Sequence, residues 1–238
     1  ANGTQFNTAV GFHSMRQTTT GDYNTAVGYS ALYSNTTGTY NSAFGHYALR
    51  FNTIGINNAA FGYQSLINNT TGNGNTAFGA NVLYSNTTGY YNTGVGLNAL
   101  YNTIIGIQNV AVGYQALINN ISGNNNTALG TNTMYSTTTG DSNVAVGTNA
   151  LYSNTTGSSN IAIAVNSLYS NTTGYFNIAV GQGALYTNTG RTNSAFGDRA
   201  LTSNTTISGT KITGSTGFEG GYVSGTIFNA RNIAIVNS

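Results

Sequence analysis

Acid–base chemistry in this chain of 238 residues would have to come from four carboxylates and two histidines. The carboxylates are Asp22, Asp141, Asp198 and Glu219, and the histidines are His13 and His46. Glycoside hydrolysis needs two carboxylates facing one cleft, and these four are far apart in sequence. The two histidines share no spacing that predicts a metal site, and the absence of Cys excludes disulfides and thiolate ligands. We therefore predict a protein that is not an enzyme and that has no metal and no cofactor.

A second kind of chemistry is suggested by Asn residues that match the glycosylation sequon. Six of them begin Asn-Thr-Thr, namely Asn35, Asn69, Asn86, Asn154, Asn171 and Asn204. Each precedes Gly or a Gly-rich stretch, and Asn also favours a tight turn. Glycosylation and a turn or stacking role are therefore both open interpretations of these residues.

Tyrosine forms a third group of candidate functional residues, and it recurs at multiples of seventeen residues. The members are Tyr33, Tyr84, Tyr101, Tyr135, Tyr152, Tyr169 and Tyr186. An exposed row of aromatic rings could stack on sugar rings, or it could pack between protein chains. Both interpretations require an element that brings residues seventeen apart into one row.

That element is a seventeen-residue repeat whose first residue is an Asn followed by a variable residue, Ala or Gly, an apolar residue and Gly. The anchor Asn residues are Asn7, Asn24, Asn41, Asn58, Asn75, Asn92, Asn109, Asn126, Asn143, Asn160 and Asn177, with a twelfth, Asn193, one residue early. Such a constant period is expected when each repeat forms one coil of a stack, because an insertion would disrupt every ladder shared with neighbouring coils. We number each coil from its anchor Asn as position one.

The coil is predicted to consist of short strands and turns. Gly occupies position fifteen of every full coil and position five of every coil except the one with Ala164, and Gly, Asn, Ser and Thr throughout argue against a helix. Two segments, at positions two to four and eight to ten, therefore read as strands. The sequence predicts an all-β fold, a parallel β-solenoid of about twelve coils, and a rod of roughly 55 Å at the usual strand spacing.

Two apolar ladders are predicted to form the core of this solenoid. Position four is Val, Phe, Leu or Ile, and position nine is Leu or Met. The predicted core residues are Val27, Leu32, Phe44, Leu49, Phe61, Leu66, Phe78, Leu83, Val95, Leu100, Val112, Leu117, Val146 and Leu151. Because neighbours along a strand point to opposite faces, the small residue at position three is predicted to lie outside. Its row of Ala and Gly would allow another chain to approach closely, or would reflect a thin coil with little room.

Two large apolar residues per coil make a thin core. Each buried side chain contributes roughly 1.5–3 kcal/mol, whereas ordering a residue costs about 1–2 kcal/mol of backbone entropy. This imbalance favours an oligomer in which further surface is buried between chains.

Composition restricts the partners further. Only 4% of residues are charged and the net charge is +2, so no basic stripe is available for nucleic acid. No apolar run is long enough for a transmembrane helix. The repeat domain is predicted to cover residues 1–206, and the Gly-rich residues 207–238 to form a cap or the start of another fibre segment. Because the chain begins without Met, we expect a processed or excised piece of a longer protein.

The repeat resembles that of phage and bacterial tail-fibre-type proteins. Residues 24–38 carry this resemblance with Asn-Thr-Ala-Val-Gly-Tyr-Ser-Ala-Leu-Tyr-Ser-Asn-Thr-Thr-Gly, and the Ala-Val-Gly-x-x-Ala core is similar to the head repeats of trimeric autotransporter adhesins. The resemblance covers about residues 7 to 206. It implies a left-handed β-roll, a homotrimer and a role in attachment.

We therefore expect a structural and adhesive shaft segment of an extracellular trimeric fibre on a virion or cell surface, with cell-surface glycan as a further candidate partner. The alternative is an ice- or crystal-surface-binding solenoid, because Thr pairs recur at positions thirteen and fourteen. An uninterrupted flat row of Thr could order water at regular spacings, although Ile54, Ile104, Ile105 and Ile121 interrupt it.

Overall fold

The computed structural model describes residues 6–204, so the cap or fibre segment predicted for residues 207–238 lies outside the described part of the chain. Each coil contributes one three-residue strand at positions two to four. The strands are β1 (Thr8–Val10), β2 (Thr25–Val27), β3 (Ser42–Phe44), β4 (Ala59–Phe61), β5 (Thr76–Phe78), β6 (Thr93–Val95), β7 (Val110–Val112), β8 (Thr127–Leu129), β9 (Val144–Val146), β10 (Ile161–Ile163), β11 (Ile178–Val180) and β13 (Ser194–Phe196), with two-residue strands β12 (Thr187–Asn188) and β14 (Ser203–Asn204).

The twelve three-residue strands form one parallel sheet in chain order, and β12 pairs with β14 in a second, small sheet. Each strand pairs with the equivalent residues of the next coil, as in Ala26 opposite Ala43 and Val27 opposite Phe44. The early twelfth anchor keeps this register, because Ile178 still pairs with Ser194. The predicted parallel β-solenoid is thus confirmed, and the described residues contain no helix.

The second predicted strand segment, at positions eight to ten, is not a strand. It is a run of turns in which positions seven and nine have positive φ, 52° at Ser30 and 51° at Leu32. Left-handed backbone costs a residue with a Cβ roughly 1–2 kcal/mol. Hydrogen bonds to the next coil offset that cost, since the Leu32 N–H donates to the Ala48 carbonyl at 2.9 Å and the Ser34 N–H to the Arg50 carbonyl at 2.9 Å.

The interior is filled by leucine and alanine. Every Leu of the predicted core ladder at position nine is fully buried, and so is the Ala at position three from the second coil onwards, for example Ala26 and Ala43. Side chains alternate between the two faces of each strand as expected, but the face predicted to point outward points inward and the other points outward. The position-four residues lie on the outside, partly or largely exposed, so the expectation that they fill the core was wrong for Val27, Phe44, Phe61, Phe78, Val95, Val112 and Val146.

The reversal follows from the width of the coil. A seventeen-residue coil holds one Leu side chain and two buried Asn side chains in each layer, which leaves room only for small residues opposite them. The coil that carries Val82 at position eight shows how little room there is. The next strand has Gly94 at position three, and a Cβ added to Gly94 would overlap Val82 Cγ1. A larger residue in one layer is thus matched by the loss of a methyl group in the next.

The anchor Asn residues form a buried ladder of amides. Asn41 Nδ2 donates to Asn24 Oδ1 at 3.2 Å and to the Gly55 carbonyl at 2.8 Å, and the Asn41 backbone N–H donates to the same Asn24 Oδ1 at 2.9 Å. The pattern repeats along the rod, and its last member donates from Asn193 to Asn177. One side chain therefore satisfies both the turn of its own coil and the start of the next, which explains why position one is Asn in all twelve coils.

Position twelve forms a second buried Asn ladder. Asn69 Nδ2 donates to Asn52 Oδ1 at 2.8 Å and to the carbonyl of Gly72 at 3.0 Å. Gly is required at position fifteen, because a Cβ on Gly72 would overlap Asn69 Oδ1 and the Gly89 carbonyl oxygen. Stacked amides of this kind stabilise parallel in-register strands.

Threonine interrupts the second ladder at two internal positions. Thr103 follows Asn86 in the ladder and Thr137 follows Asn120, and both threonines are fully buried. Neither threonine hydroxyl has a hydrogen-bond partner, and neither Oδ1 of the preceding Asn has one. Each substitution therefore leaves two buried polar atoms unsatisfied, which is costly in a protein interior.

Thr137→Asn is expected to stabilise the protein. The new Nδ2 would donate to Asn120 Oδ1, and the new Oδ1 would accept from Asn154 Nδ2. Satisfying these groups should add roughly 1–2 kcal/mol, or about 2–6 °C in the melting temperature of a chain of this size. Differential scanning calorimetry measures the change. The control is Thr139→Asn at exposed position fourteen, which should leave the melting temperature unchanged; equal shifts in both variants would contradict the role of the ladder.

Candidate interface and surface ladders

The most extensive candidate site is the outward face of the long sheet. We define the outer strand face as the first and third residues of β1 to β11 and β13. These residues lie at positions two and four, and the third residue of every strand is apolar. Phe78 is 58% exposed and Val112 is 38% exposed. At about 4.8 Å per strand, the face is roughly 50 Å long.

The composition of the outer strand face changes along the rod. In the first half, aromatic rings project from it, and Phe44, Phe61 and Phe78 stack with centroid separations of 4.9 and 5.5 Å. From β7 onwards the face is mainly aliphatic, because Val144, Ile161 and Ile178 replace Thr or Ser at position two. A soluble monomer rarely exposes a continuous apolar strip of this length, so such a strip is typical of a protein–protein interface.

The tyrosines of position ten lie in the predicted row, and those in adjacent coils stack on one another. The rings of Tyr135 and Tyr152 are 5.0 Å apart, those of Tyr152 and Tyr169 are 5.0 Å apart, and Tyr186 continues the stack at 4.9 Å. Each inner ring covers the face of its neighbour, so these faces cannot stack on a sugar. Burial, with the neighbouring phenols of Tyr135 and Tyr169, raises the pKa of Tyr152. This row therefore supports packing along the rod rather than sugar binding.

The threonines of position thirteen form a regular row whose hydroxyl groups bond along the rod. Thr36 Oγ1 donates to the Thr53 carbonyl at 2.9 Å, and Thr53 Oγ1 donates to the Thr70 carbonyl at 3.0 Å. The hydroxyl proton is therefore used within the protein. Where Ile104 and Ile121 replace Thr, a shallow groove with a volume of 380 Å³ opens beside Asn102 and Asn119.

The sequon asparagines belong to the buried ladder at position twelve. Five of the six are fully buried with their amide nitrogens donating hydrogen bonds: Asn35, Asn69, Asn86, Asn154 and Asn171. A glycan on such a nitrogen would replace those bonds and could not fit inside the coil. The glycosylation hypothesis is therefore wrong for these five residues. The side chain of Asn204 lies outside the described part of the structure.

The carboxylates do not come together among residues 6–204. Asp22 and Asp141 both occupy position sixteen but are 119 residues, or seven coils, apart, which is roughly 34 Å along the rod. Asp198 lies in the last described coil, and Glu219 lies outside the described residues. Within the same range, no group of three or more His, Cys, Asp or Glu side chains could hold a metal ion. No helix among the described residues is long and apolar enough to cross a membrane.

The two histidines, which share no spacing in the sequence, lie beside the same ring, that of Tyr29. His46 stacks on Tyr29 at 5.1 Å between ring centroids, and His13 lies 6.5 Å from the same ring. They occupy positions seven and six of coils two steps apart. Comparison of neighbouring positions in successive coils, rather than of identical positions, would have found this proximity from the sequence.

Comparisons with known proteins add no relative to this description: no family model, no curated protein and no solved structure matches the chain.

Proposed function

We propose that this chain is a shaft segment of an extracellular trimeric fibre that mediates attachment. The observation that carries the proposal is the outer strand face, whose position-four residues form a continuous apolar row through all twelve three-residue strands. Three parallel copies in register would turn these faces towards a common axis and bury them against one another. Such burial would also supplement a thin core of one Leu and two Ala per coil.

A trimer fits the resemblance of the repeat to fibre proteins, and a rod without internal insertions fits a shaft. Nearly every coil has the same length, so each copy presents its apolar residues at the same spacing and three copies can match coil by coil. On this proposal, the chain is a structural and binding protein rather than an enzyme, and it acts on a virion or cell surface.

Ice or crystal binding is the weaker proposal. Its candidate surface, the Thr row at position thirteen, has hydroxyl protons already donated to backbone carbonyls. Ile104 and Ile121 break the row in the middle of the rod. The outer strand face is no better suited, because Phe44, Phe61 and Phe78 project from it and prevent a flat surface.

The mass of the assembly in solution tests the fibre proposal. Light scattering after size exclusion should give about three times the chain mass of 24.6 kDa. Val112→Lys places a charge in the middle of the outer strand face, and burying an unpaired ammonium group between chains is unfavourable. The variant should therefore have the mass of one chain and keep the β-sheet circular dichroism spectrum of the wild type.

The matched control is Ile105→Lys, which replaces an exposed apolar residue at position fourteen of the neighbouring coil. This variant should remain trimeric. A folded wild-type monomer, or a Val112→Lys variant with three times the chain mass, would contradict the proposed interface. Thermal hysteresis in a folded monomer would favour ice binding instead.

A further inference from the structure

Each coil can be compared with the other coils of the same chain. A residue that departs from the repeat at its position indicates a role beyond stacking. At position ten, Tyr or Ile occupies nine of the twelve coils, but Arg occupies two, Arg16 and Arg50. At position six, His46 is the single histidine among the coils. All three departures fall within the first three coils, and His13 lies there as well.

These departures form one connected cluster, which we call the cationic aromatic patch: His13, Arg16, Tyr33, His46, Tyr47 and Arg50. Arg16 Nη1 lies 3.1 Å from His13 Nε2, and the His13 ring lies 5.9 Å from that of Tyr33. The Arg50 guanidinium lies 5.9 Å from the Tyr33 ring and 4.4 Å from the Tyr47 ring. His46 and Tyr47 complete the series at 3.9 Å between centroids.

Among residues 6–204, neither guanidinium group of the patch forms an ion pair with a carboxylate. The nearest carboxylate in sequence, Asp22, accepts a hydrogen bond from the Tyr23 N–H at 2.8 Å, at position sixteen on another corner of the coil. Arg50 Nε is buried and has no hydrogen-bond partner. Two guanidinium groups therefore lie in the patch without an internal counter-charge, and the buried Nε donor of Arg50 is unused.

From this arrangement we infer that the cationic aromatic patch binds an acidic glycan, through carboxylate or sulfate groups. A guanidinium stacked on an aromatic ring keeps its N–H groups in the plane of the stack, where a planar or tetrahedral oxyanion accepts them in pairs. The inference rests on the proposed attachment function and gives that function a ligand class.

Ring faces beside the patch provide the apolar part of such a site. Phe12, Tyr29, His46 and Tyr63 stack along position six with separations of 5.6, 5.1 and 5.5 Å. The row ends at Tyr63, because position six of the next coil is Ala80. Tyr63 is 50% exposed, and with no ring from the next coil to stack on it, its ring is the candidate surface for the C–H groups of a sugar.

Binding of two acidic polysaccharides to the intact chain tests the inference. Heparin carries sulfate and carboxylate, hyaluronan carries carboxylate alone, and dextran is the neutral control. Isothermal titration calorimetry should detect heparin or hyaluronan but not dextran, and the stronger of the two identifies the preferred acidic group. Arg50→Tyr restores the common residue of position ten and should weaken this binding at least about tenfold while the fold is retained.

The matched control is Arg199→Asn, which removes an equal charge in the last described coil and restores a common residue of position seven, where Asn tolerates the positive φ of 50°. Its affinity should match that of the wild type. Equal losses in both variants would reduce the effect to net charge and overturn the site. Failure of both polysaccharides to bind, or tighter binding of a single-stranded oligonucleotide, would overturn the ligand class.

Light scattering on the same samples separates this inference from the fibre proposal. A trimer that binds neither polysaccharide overturns the patch alone. A folded monomer that binds one of them and loses it in Arg50→Tyr overturns the fibre alone.

Discussion

Asn92→Asp, a change of one atom in the interior, is expected to destabilise the rod by roughly 3–5 kcal/mol at neutral pH. Asn92 Nδ2 donates to Asn75 Oδ1 at 3.2 Å and to the Gly106 carbonyl at 2.7 Å. An Asp side chain would place an oxygen against both of these acceptors and bury a charge without a cation. For a chain of this size, such a loss lowers the melting temperature by roughly 10 °C.

The pH dependence of that variant gives a second readout. Burial without a counter-charge raises the folded-state pKa of the new carboxyl above its unfolded value. The folded state therefore binds the proton more tightly, and stability falls as the pH rises from the unfolded pKa through the folded one. Relative to wild type, the variant should be closest in stability near pH 4 and weakest at pH 7, as measured by thermal melts across that range.

The matched control is Asn73→Asp at exposed position sixteen. Asn73 Oδ1 accepts from the Ile56 N–H at 2.8 Å, and Asp141 already plays this part for the Asn124 N–H at 2.7 Å. A carboxylate there keeps its role as acceptor, so stability should change by less than about 0.5 kcal/mol. Similar losses in the two variants would disprove the claim that the amide donors of the buried ladder hold the coils together.

Leu117→Asp is expected to prevent stable folding. Leu117 is fully buried in the central part of the rod, between Leu100 and Met134 at the same position of the adjacent coils. The substitution removes roughly 1.5–3 kcal/mol of apolar burial and adds the several kcal/mol cost of a buried unpaired carboxylate. Because coils contact only their neighbours, this defect interrupts the stack and leaves two shorter blocks.

Far-ultraviolet circular dichroism and a thermal melt measure the loss of structure. Leu117→Met is the control, since Met15 and Met134 occupy position nine in other coils. A swap of similar volume should cost less than about 1.5 kcal/mol. A Leu117→Asp variant that melts like wild type would show that position nine is not the core.

The period and the parallel register were predictable from the sequence, because a constant seventeen-residue spacing has one simple structural explanation. The direction of the strand faces was not. Alternation places Val27 and Ala26 on the two faces of one strand but does not say which face points inward. The usual preference for larger apolar residues in the core predicted the wrong face. The interior was already occupied by Leu32 and by two Asn side chains, and their burial became visible only in the structure.

The prediction of a second strand at positions eight to ten was wrong for a different reason. Leu is a poor candidate for positive φ, so nothing in its identity indicated the left-handed backbone at Leu32 or Leu117. The candidate functional residues likewise include some that the sequence could not place and some that it could. The outer strand face depends on the orientation that the sequence left open, whereas the placement of His13 and His46 beside Tyr29 follows once positions six and seven are known to be neighbours.

The side-chain amides of the anchor Asn ladder have a common dipole direction along the rod. In every joint from Asn41 to Asn193 the amide N–H points back to the preceding coil and the amide oxygen points forward, so the side-chain dipoles add instead of cancelling. Asn193 Oδ1, at the forward end of this series, is buried and has no partner. In the last described coil the series therefore ends in an unused acceptor, which a hydrogen-bond donor placed beside it would satisfy.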